Sequence, residues 1–337
     1  MRRVVRFLIF ISSVFLFACS ADHKNVRSEQ SFGGEAQGTS YTVKYIGLEQ
    51  AKLPTAVDSL LNAIDASMST YVESSTISKL NNGDSAIIEP IFMEVFLLSK
   101  KINSETDGAF DPTLAPIIEA WGFDFAEAKS MDTNKINELM KLCGFEQFKL
   151  EGNVLHKKTQ EAKLNFNAIA QGYSVDLIGQ LLKDRGIKDY YVELGGEVIV
   201  SGLNRDSVAW RIGIDKPEGQ NLERKLSAIV NLKDQAMVTS GNYRKFVEVD
   251  GKKYSHSINP ISGFPTADSL LSATIICTEA AVADAMATAC MVKGYEGCKS
   301  FVSNRKDLGA ILIYANAKGE LQTFISENVK SQVEDSN

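Results

Sequence analysis

Residues 190–203 read YYVELGGEVIVSGL and mark the point at which the predicted secondary structure of the chain changes. Tyr, Val and Ile dominate the segments on both sides of Gly195-Gly196, and such residues are typical of strands. The glycine pair indicates either a tight turn or a place where the backbone approaches another group closely. Strand-like segments also follow this point, namely VAWRIGI, KLSAIVNL, AMVTSG, KFVEVDGKKYSHSI, SLLSATIIC, GAILIYA and LQTFI.

Helical patterns dominate the residues before this point. The predicted helices are LPTAVDSLLNAIDASM, IFMEVFLLSKKINSET, DPTLAPIIEAW, TNKINELMKLCGF and AIAQGYSVDLIGQLLKDRG. One late segment, TEAAVADAMATACMVKG, is also a predicted helix, with Thr278 as its N-cap and Gly294 as its stop. Helices grouped early and strands grouped late predict an α+β fold. We expect a single large domain in which the helices pack on a mixed or antiparallel sheet.

The N-terminus has the order of a bacterial lipoprotein signal peptide. Residues 1–18, MRRVVRFLIFISSVFLFA, place arginines before an apolar run that leads to Cys19. The run is shorter than the roughly 20 residues that span a bilayer, so no transmembrane helix is predicted. We expect cleavage before Cys19, a lipid on its thiol and a polar tether over residues 19–31. Phe17 is bulkier than the residue usual in this signal, and the alternative is secretion with Cys19 retained or cleavage elsewhere.

These expectations place one domain, residues 32–337, on a cell membrane through the lipid alone, facing the periplasm or the cell exterior. Hydrophobic residues make up 44% and charged residues 23% of the chain, as in ordinary globular domains. The net charge of −6 and the lack of Lys and Arg clusters argue against a nucleic-acid partner. The later cysteines show no CxxC pair, and their spacing leaves open whether Cys290 and Cys298 form a disulfide.

Asp284 and Thr288 are candidates for a metal site. They stand four residues apart in ADAMAT, so a helix places both side chains on one face, surrounded by alanine. A carboxylate and a hydroxyl together suit a hard cation such as Mg²⁺, which prefers oxygen ligands. The alternative is a polar stripe that meets solvent.

A second candidate segment is LNFNAIAQGYSVD. Asn165 and Asn167 precede the small residue Ala168, and Gln171 lies near the start of the predicted helix. A small residue at such a junction lets the backbone reach a ligand, and a helix N-terminus favours anionic groups. In the alternative interpretation, Asn167 is an ordinary helix cap.

His256 lies in YSHSINPISGFPT, a segment rich in turn-forming residues. A histidine on a constrained loop is a candidate general base, because its ordinary pKa of about 6.5 lets it accept a proton at neutral pH. A structural histidine that donates to a backbone carbonyl is the alternative.

In chain order, seven motifs resemble those of the ApbE family, the flavin transferases that use FAD to attach FMN to proteins. The motifs extend from about Gly34 to Gly294, and they are MSTY with a following SxISxLN, GAFDPTLAPIIEAWGF, LNFNAIAQGYSVD, VELGGEV, TSGNYRKF, YSHSINPISGFP and ADAMATACMVKG. The resemblance implies an ApbE-like architecture, related to the T-fold.

The resemblance also implies a set of site residues. Positions that match the family's metal ligands are Ala168, Asp284, Ala287 and Thr288. Positions that match its FAD contacts are Gln37, Tyr71, Ala109, Phe110, Asp111, Asn165, Gln171 and Ile258. Segments that match the walls of the same cleft are Thr239 to Gly241 and Gly195-Gly196. Asn165 and Gln171 depart from the family, which often has Asp at the first position and Lys or Glu at the second. We expect altered adenosine-side contacts or an altered affinity, with the chemistry retained.

The implied activity is a Mg²⁺-dependent transfer of FMN from FAD to a threonine or serine of an acceptor protein, with release of AMP. The implied acceptor is a membrane redox subunit. His256 and Asp284 are the candidate catalytic residues. Two alternatives remain at this point: a Mg²⁺-dependent FAD pyrophosphatase that forms FMN and AMP, and a flavin-binding lipoprotein without turnover.

Overall fold

The computed structural model describes residues 28–122, 132–217, 225–242, 246–249, 252–255, 258–266 and 268–335. The predicted signal peptide, Cys19 and most of the predicted tether lie outside these residues. The helices are α1 (Leu53–Met68), α2 (Thr76–Asn82), α3 (Pro90–Glu105), α4 (Ala115–Trp121), α5 (Thr133–Met140), α6 (Ala170–Asp184) and α7 (Ala280–Ser303). In the part of the chain that the structure describes, none of them has the length and apolar character needed to cross a membrane.

The strands are β1 (Glu29–Ala36), β2 (Thr39–Ile46), β3 (Ser85–Ile87), β4 (Phe148–Glu151), β5 (Val154–Lys157), β6 (Tyr190–Leu194), β7 (Glu197–Ser201), β8 (Trp210–Asp215), β9 (Leu226–Leu232), β10 (Gln235–Gly241), β11 (Phe246–Val249), β12 (Lys252–Ser255), β13 (Leu270–Cys277), β14 (Gly309–Ala315), β15 (Leu321–Ile325) and β16 (Val333–Asp335). Eight of them form the main sheet, in the order β1-β2-β6-β7-β10-β13-β14-β15. Every neighbouring pair in it is antiparallel, which confirms the predicted α+β class.

Both faces of the main sheet are buried. Ile199, Ile275 and Leu312 point to the face covered by helices. Their neighbours Val198, Ile276 and Ile313 point to the opposite face, which is covered by the small sheet β16-β9-β8. Successive side chains in a strand face opposite ways, so segments with few polar residues, such as EVIVS and GAILIYA, suit a central layer.

The helical layer brings α6 and α7 together on the sheet. Helix α7 contacts β10 and β13, whereas α6 contacts β6 and β7 and also packs against α7 and α1. The hairpin β6–β7 turns at Gly195-Gly196, and both glycines have positive φ, as a tight turn requires. This packing places the first turns of α6 beside the first turns of α7.

Two boundaries differ between the sequence and the structure. Residues 29–31, which belong to the predicted tether, pair with β2 as the beginning of the edge strand β1. Helix α7 has Glu279, not Thr278, at its N-cap, and it continues beyond Gly294 after a bend. Tertiary contacts decided both positions.

The bend in α7 is built from a glycine, an aspartate and a disulfide. Gly294 has φ 68° and ψ −178°, a conformation outside the helical region. Asp268 Oδ1 accepts a hydrogen bond from Tyr295 N at 2.8 Å and so caps the segment after the bend. Cys290 and Cys298 are joined by a disulfide across the bend, which resolves the pairing that their spacing left open.

Candidate functional site

The contact between α6 and α7 forms the centre of the candidate site. The Gly172 backbone N–H donates to Asp284 Oδ2 at 3.2 Å. A Cβ at Gly172 would lie 2.4 Å from the Ala280 carbonyl oxygen, closer than real side chains approach. Glycine is therefore required for the two helices to bring Asp284 to the N-terminus of α6.

Asp284 is a buried carboxylate, and its side chain is only 6% exposed. Burial raises its pKa above the ordinary value, the Gly172 N–H opposes this shift, and the negative charge of Asp176 adds to it. A carboxylate in such a position gains from a bound cation, which would favour its charged form.

Thr288 lies one turn further along α7 and is partly exposed, as the predicted spacing requires. Its Oγ1 lies 3.5 Å from Ser240 Oγ on β10. Thr239, the neighbour of Ser240, instead pairs with Thr274 at 2.8 Å on the other face of the sheet. Of these two residues, only Ser240 therefore lies beside Thr288.

Two alanines complete the predicted metal set. Ala168 is partly exposed and lies two residues before α6, whereas Ala287 is fully buried within α7. Both can contribute only backbone carbonyls. Among the described residues, no cluster of three His, Cys, Asp or Glu side chains is arranged to hold a metal. An ion here would be held by one carboxylate, a hydroxyl and carbonyl oxygens, ligands that suit Mg²⁺.

Asp176 is a positioning residue that sequence reasoning missed. Its carboxylate, on α6, accepts hydrogen bonds from Ala280 N and Ala281 N, both at 2.8 Å, and so caps α7. Burial raises its pKa to about 7, against the opposing effect of these two hydrogen bonds. Asp176 is the last residue of the motif LNFNAIAQGYSVD, so its place in the motif could have identified it as a candidate.

A cavity of about 650 Å³ opens beside the start of α6. Three of the predicted FAD contacts, Gln37, Tyr71 and Gln171, line it. The cavity falls within the usual size range of small-molecule sites. The structure thus brings together residues from the β1–β2 turn, the segment after α1 and the first turn of α6.

Gln37 lies at the β1–β2 turn with φ 51°, an uncommon conformation for a residue other than glycine. Its Nε2 donates to Ser174 Oγ at 2.8 Å, which holds the amide against α6. Its Oε1 is buried and has no partner in the described structure. A buried acceptor without a donor is costly, so the cavity fits a ligand that supplies an N–H or O–H group.

Gln171 packs against the hairpin turn between β6 and β7. A Cβ at Gly195 would lie 3.1 Å from Gln171 Nε2, and the φ of Gly195 is 66°. Both interpretations of the Gly195-Gly196 pair therefore hold, since it makes a tight turn and also allows a close approach. The neutral amide of Gln171 leaves this wall without the charge that Lys or Glu would bring.

A second group of predicted contacts surrounds the start of α4. Phe110 is buried, and its carbonyl accepts from Asn103 Nδ2 at 2.8 Å. Asp111 Oδ1 accepts from both the Thr113 backbone N–H and the Thr113 hydroxyl. Burial is the main cause that raises the pKa of Asp111, and the bonds from Thr113 oppose it. Ala109 precedes these residues and is also buried.

Asn165 joins this second group to the α6 segment. Its backbone N–H donates to the Pro112 carbonyl at 2.9 Å, and its Oδ1 accepts from Asn167 N at 2.8 Å. Asn81, which sequence reasoning missed, holds the preceding residue by two bonds with the Leu164 backbone, each 2.9 Å long. Asn81 ends the motif SxISxLN, so a signal for it was present.

The loop that follows His256 is anchored on α4. Ile258 is 4% exposed and packs with Leu114 and Ile117 in a small apolar cluster. Trp121 Nε1 donates to the Gly263 carbonyl at 2.9 Å. His256 itself, the candidate base, lies outside the described residues.

The comparisons with known proteins agree with one another. The model of the ApbE family matches residues 37–312. The FAD:protein FMN transferase of Vibrio cholerae is 35% identical over 299 residues, covering 86% of this chain and 88% of that protein. The enzyme of the same name from Haemophilus influenzae is 28% identical and covers 95% of both.

Solved structures give the same result. The flavin transferase ApbE from Vibrio cholerae superposes with a TM-score of 0.81 at 32% identity, covering 91% of this chain and 99% of that one. The flavinyl transferase ApbE of Pseudomonas stutzeri, in its apo form, also has a TM-score of 0.81, at 30% identity, with 91% and 97% coverage.

Proposed function

This chain belongs to the ApbE family, and from that premise we propose that it is a Mg²⁺-dependent FAD:protein FMN transferase. Curated relatives over most of its length carry the name FAD:protein FMN transferase. The reaction would attach FMN through a phosphoester to a threonine or serine of an acceptor protein and release AMP. The structural observation that carries the proposal is the hydrogen bond from Gly172 N to Asp284 Oδ2, which joins the helix with the candidate metal ligands to the start of α6, where Gln171 lines the cavity.

The residues present fit both FAD and a metal ion. Gln37 Oε1 needs a donor that FAD can supply. Asp284 and Thr288, with the carbonyls of Ala168 and Ala287, would hold Mg²⁺, and the ion would neutralise charge on the diphosphate and so stabilise the transition state for displacement at phosphorus. The N-terminus of α6 favours an anionic group at the same place.

The protein's own part in the chemistry is to orient the reactants and move one proton. The acceptor hydroxyl oxygen forms a bond to the FMN-side phosphorus, the bond from that phosphorus to the oxygen bridging to AMP breaks, and AMP leaves. The hydroxyl proton passes to a base, and His256 is the candidate by family resemblance. General-base help of this kind is worth about 10²- to 10⁴-fold in rate. Asp284, a second candidate, is instead assigned to binding the cation.

The test is a direct assay. The purified full-length chain is incubated with FAD, Mg²⁺ and an acceptor protein that carries a candidate threonine, and the acceptor's mass is measured. We expect an increase equal to one FMN, with AMP released in equal amount. AMP and FMN without an adduct would support the pyrophosphatase, and FAD that stays bound and intact would overturn both enzymatic functions.

The location of the reaction is part of the proposal. Cys19 follows a signal-like leader, so we propose a lipid anchor that holds the domain on the outer side of a cell membrane. A membrane redox subunit would then be an accessible acceptor. Metabolic labelling with a radioactive fatty acid tests the anchor, and loss of the label in Cys19→Ala is the expected result.

A further inference from the structure

We propose that Asp65 binds two neighbouring hydroxyl groups of the dinucleotide and thereby decides which part of FAD occupies the end of the cavity next to α1. This inference rests on the proposed function and adds a residue that the motifs did not single out. It concerns specificity, because a carboxylate accepts hydrogen bonds from hydroxyls and repels phosphate.

Asp65 lies in the last turn of α1 and forms part of the cavity wall, on the same cavity as Gln37, Tyr71 and Gln171. Its side chain is half-buried. Within the described chain, no hydrogen bond or ion pair is made by its carboxylate. Asp58, two turns earlier on the same helix, differs because it accepts the hydroxyl of Tyr41.

The described residues around Asp65 supply no positive charge. Among the described residues that line the cavity, none is Lys, Arg or His. Burial accordingly raises the pKa of Asp65 above its ordinary value, with no attraction that opposes the shift. A partly desolvated carboxylate without a partner is unfavourable, so hydrogen-bond donors from a ligand would stabilise it.

A second acceptor on the same wall narrows the ligand chemistry. Gln37 Oε1 is buried without a donor, so this part of the cavity presents acceptors that need donors. A diphosphate supplies only acceptors and negative charge, so Asp65 disfavours it. The N-terminus of α6, where Gly172 meets Asp284, is the favourable place for it, because the Mg²⁺ proposed at Asp284 would offset the charge of that carboxylate.

Neighbouring hydroxyls match the two oxygens of one carboxylate. FAD contains such hydroxyls in two places, the ribose of its AMP half and the ribityl chain of its FMN half. Both places present a vicinal diol. Measuring the binding of AMP and of FMN separately shows whether the ribose or the ribityl chain supplies it.

The experiment measures dissociation constants by calorimetry for AMP and for FMN, with the full-length chain. Variant Asp65→Asn is compared with the wild type and with Asp84→Asn, which removes an exposed carboxylate outside the cavity lining. We expect Asp65→Asn to raise the dissociation constant of the half that carries the recognised diol by about 10-fold, as for loss of hydrogen bonds to a charged group. The dissociation constant of the other half should not change. Asp84→Asn should change neither.

Analogues test the diol itself without relying on a variant. For the AMP half these are 2′-deoxy-AMP and adenosine 3′,5′-bisphosphate; for the FMN half, the analogue is a flavin with an unhydroxylated phosphopentyl chain. The wild type should bind the analogue that lacks the vicinal diol, 2′-deoxy-AMP or the phosphopentyl flavin, about 10-fold more weakly than the parent, and Asp65→Asn should bind the two equally. If the AMP half carries the diol, Asp65→Asn should also bind the bisphosphate better than the wild type does, because a charge repulsion is removed.

The inference is overturned if the wild type binds parent and analogue with equal affinity, both for AMP and for FMN. It is also overturned by an Asp65→Asn variant that weakens parent and analogue by the same factor, since that would be a structural effect. The proposed function is tested separately, by FMN transfer with the wild type. Transfer with no diol effect overturns only the role of Asp65, whereas a diol effect without transfer or FAD turnover overturns only the enzymatic proposal.

Discussion

The Asp176 carboxylate on α6 caps the N-terminus of α7 by accepting hydrogen bonds from Ala280 N and Ala281 N, each 2.8 Å long. A cap supplied by a different helix couples the position of α7 to that of α6. Since Gly172 and Asp284 join the same two helices a few residues away, the candidate metal site depends on this coupling.

Replacing Asp176 by Ala should destabilise the protein. The loss of a helix cap costs about 0.5–2 kcal/mol, and two backbone N–H groups would be left without their acceptor. Urea denaturation followed by circular dichroism measures the change. Ser174→Ala, on the same helix, is a control for loss of a single buried hydroxyl. Equal stability of Asp176→Ala and wild type would contradict the capping role.

The pH dependence of stability should differ between the wild type and Asp176→Asn. The pKa of Asp176 is raised from 3.8 to about 7 in the folded protein. The folded state thus holds the proton more tightly than the unfolded chain, so this stabilisation is full below pH 4 and is lost as the pH rises through 7. In metal-free buffer, the free energy of unfolding of wild type relative to Asp176→Asn should fall between pH 5 and pH 8. A constant difference would contradict the raised pKa.

Gly172→Ala should disrupt the contact between α6 and α7. The new Cβ would lie 2.4 Å from the Ala280 carbonyl oxygen, and backbone cannot move aside easily. We expect a loss of about 1–3 kcal/mol in the free energy of unfolding, together with reduced FMN transfer. Gly297→Ala is the matched control, because it also lies in a helix, but its new Cβ would meet no backbone atom and would lie no closer than 3.1 Å to the Lys293 Cβ. If the free energy of unfolding of Gly172→Ala equals that of the wild type, helices α6 and α7 can move apart without an energetic cost.

Asp284→Ala should reduce Mg²⁺-dependent turnover by at least ~100-fold, since the only carboxylate assigned to the cation is removed. Thr288→Ala should weaken Mg²⁺ activation, and Thr288→Ser should restore it because the hydroxyl is retained. Steady-state rates measured against Mg²⁺ concentration separate these effects. Activity of Asp284→Ala close to the wild-type rate would remove the proposed metal site.

Trp121→Phe should loosen the loop next to His256. The hydrogen bond from Trp121 Nε1 to the Gly263 carbonyl is lost, while most of the apolar packing remains. Trp210→Phe is a matched control, because Trp210 Nε1 donates to the Ser201 carbonyl at 3.1 Å in the apolar cluster beneath the small sheet. Both should lose about 1 kcal/mol of stability, but only Trp121→Phe should lower the rate of FMN transfer. Equal rates of FMN transfer for the two variants would show that the hydrogen bond from Trp121 to Gly263 does not contribute to catalysis.

Much of the fold could be predicted because it follows local rules. The predicted segment LPTAVDSLLNAIDASM is helix α1 residue for residue, since its apolar residues have helical spacing and Pro54 lies where a missing N–H costs nothing. The predicted strand-like segment KFVEVDGKKYSHSI contains the two paired strands β11 and β12. The beginning of β1 could not be predicted, because only pairing with β2 makes its polar residues a strand.

Part of the candidate site could likewise be predicted from the sequence, and part could not. The shared face of Asp284 and Thr288 follows from the helical period, and family resemblance supplied the contacts Gln37, Tyr71 and Gln171, which one cavity brings together. The roles of Asp176 and Asn81 were missed. Their partners lie 104 and 83 residues away along the chain, and no local pattern specifies a contact at that separation.

By itself, the sequence determined the helices, the alternating strands, the motif order and therefore the family, because periodicity and turn chemistry act over a few residues. Tertiary structure alone decided that α7 bends at Gly294, where Asp268 caps the second segment. It also decided that Asp284 meets Gly172 and that Asp65 faces a cavity whose described lining residues include no Lys, Arg or His. These features arise from the packing of helices on one sheet, where burial and close backbone approach join residues that are distant in the chain.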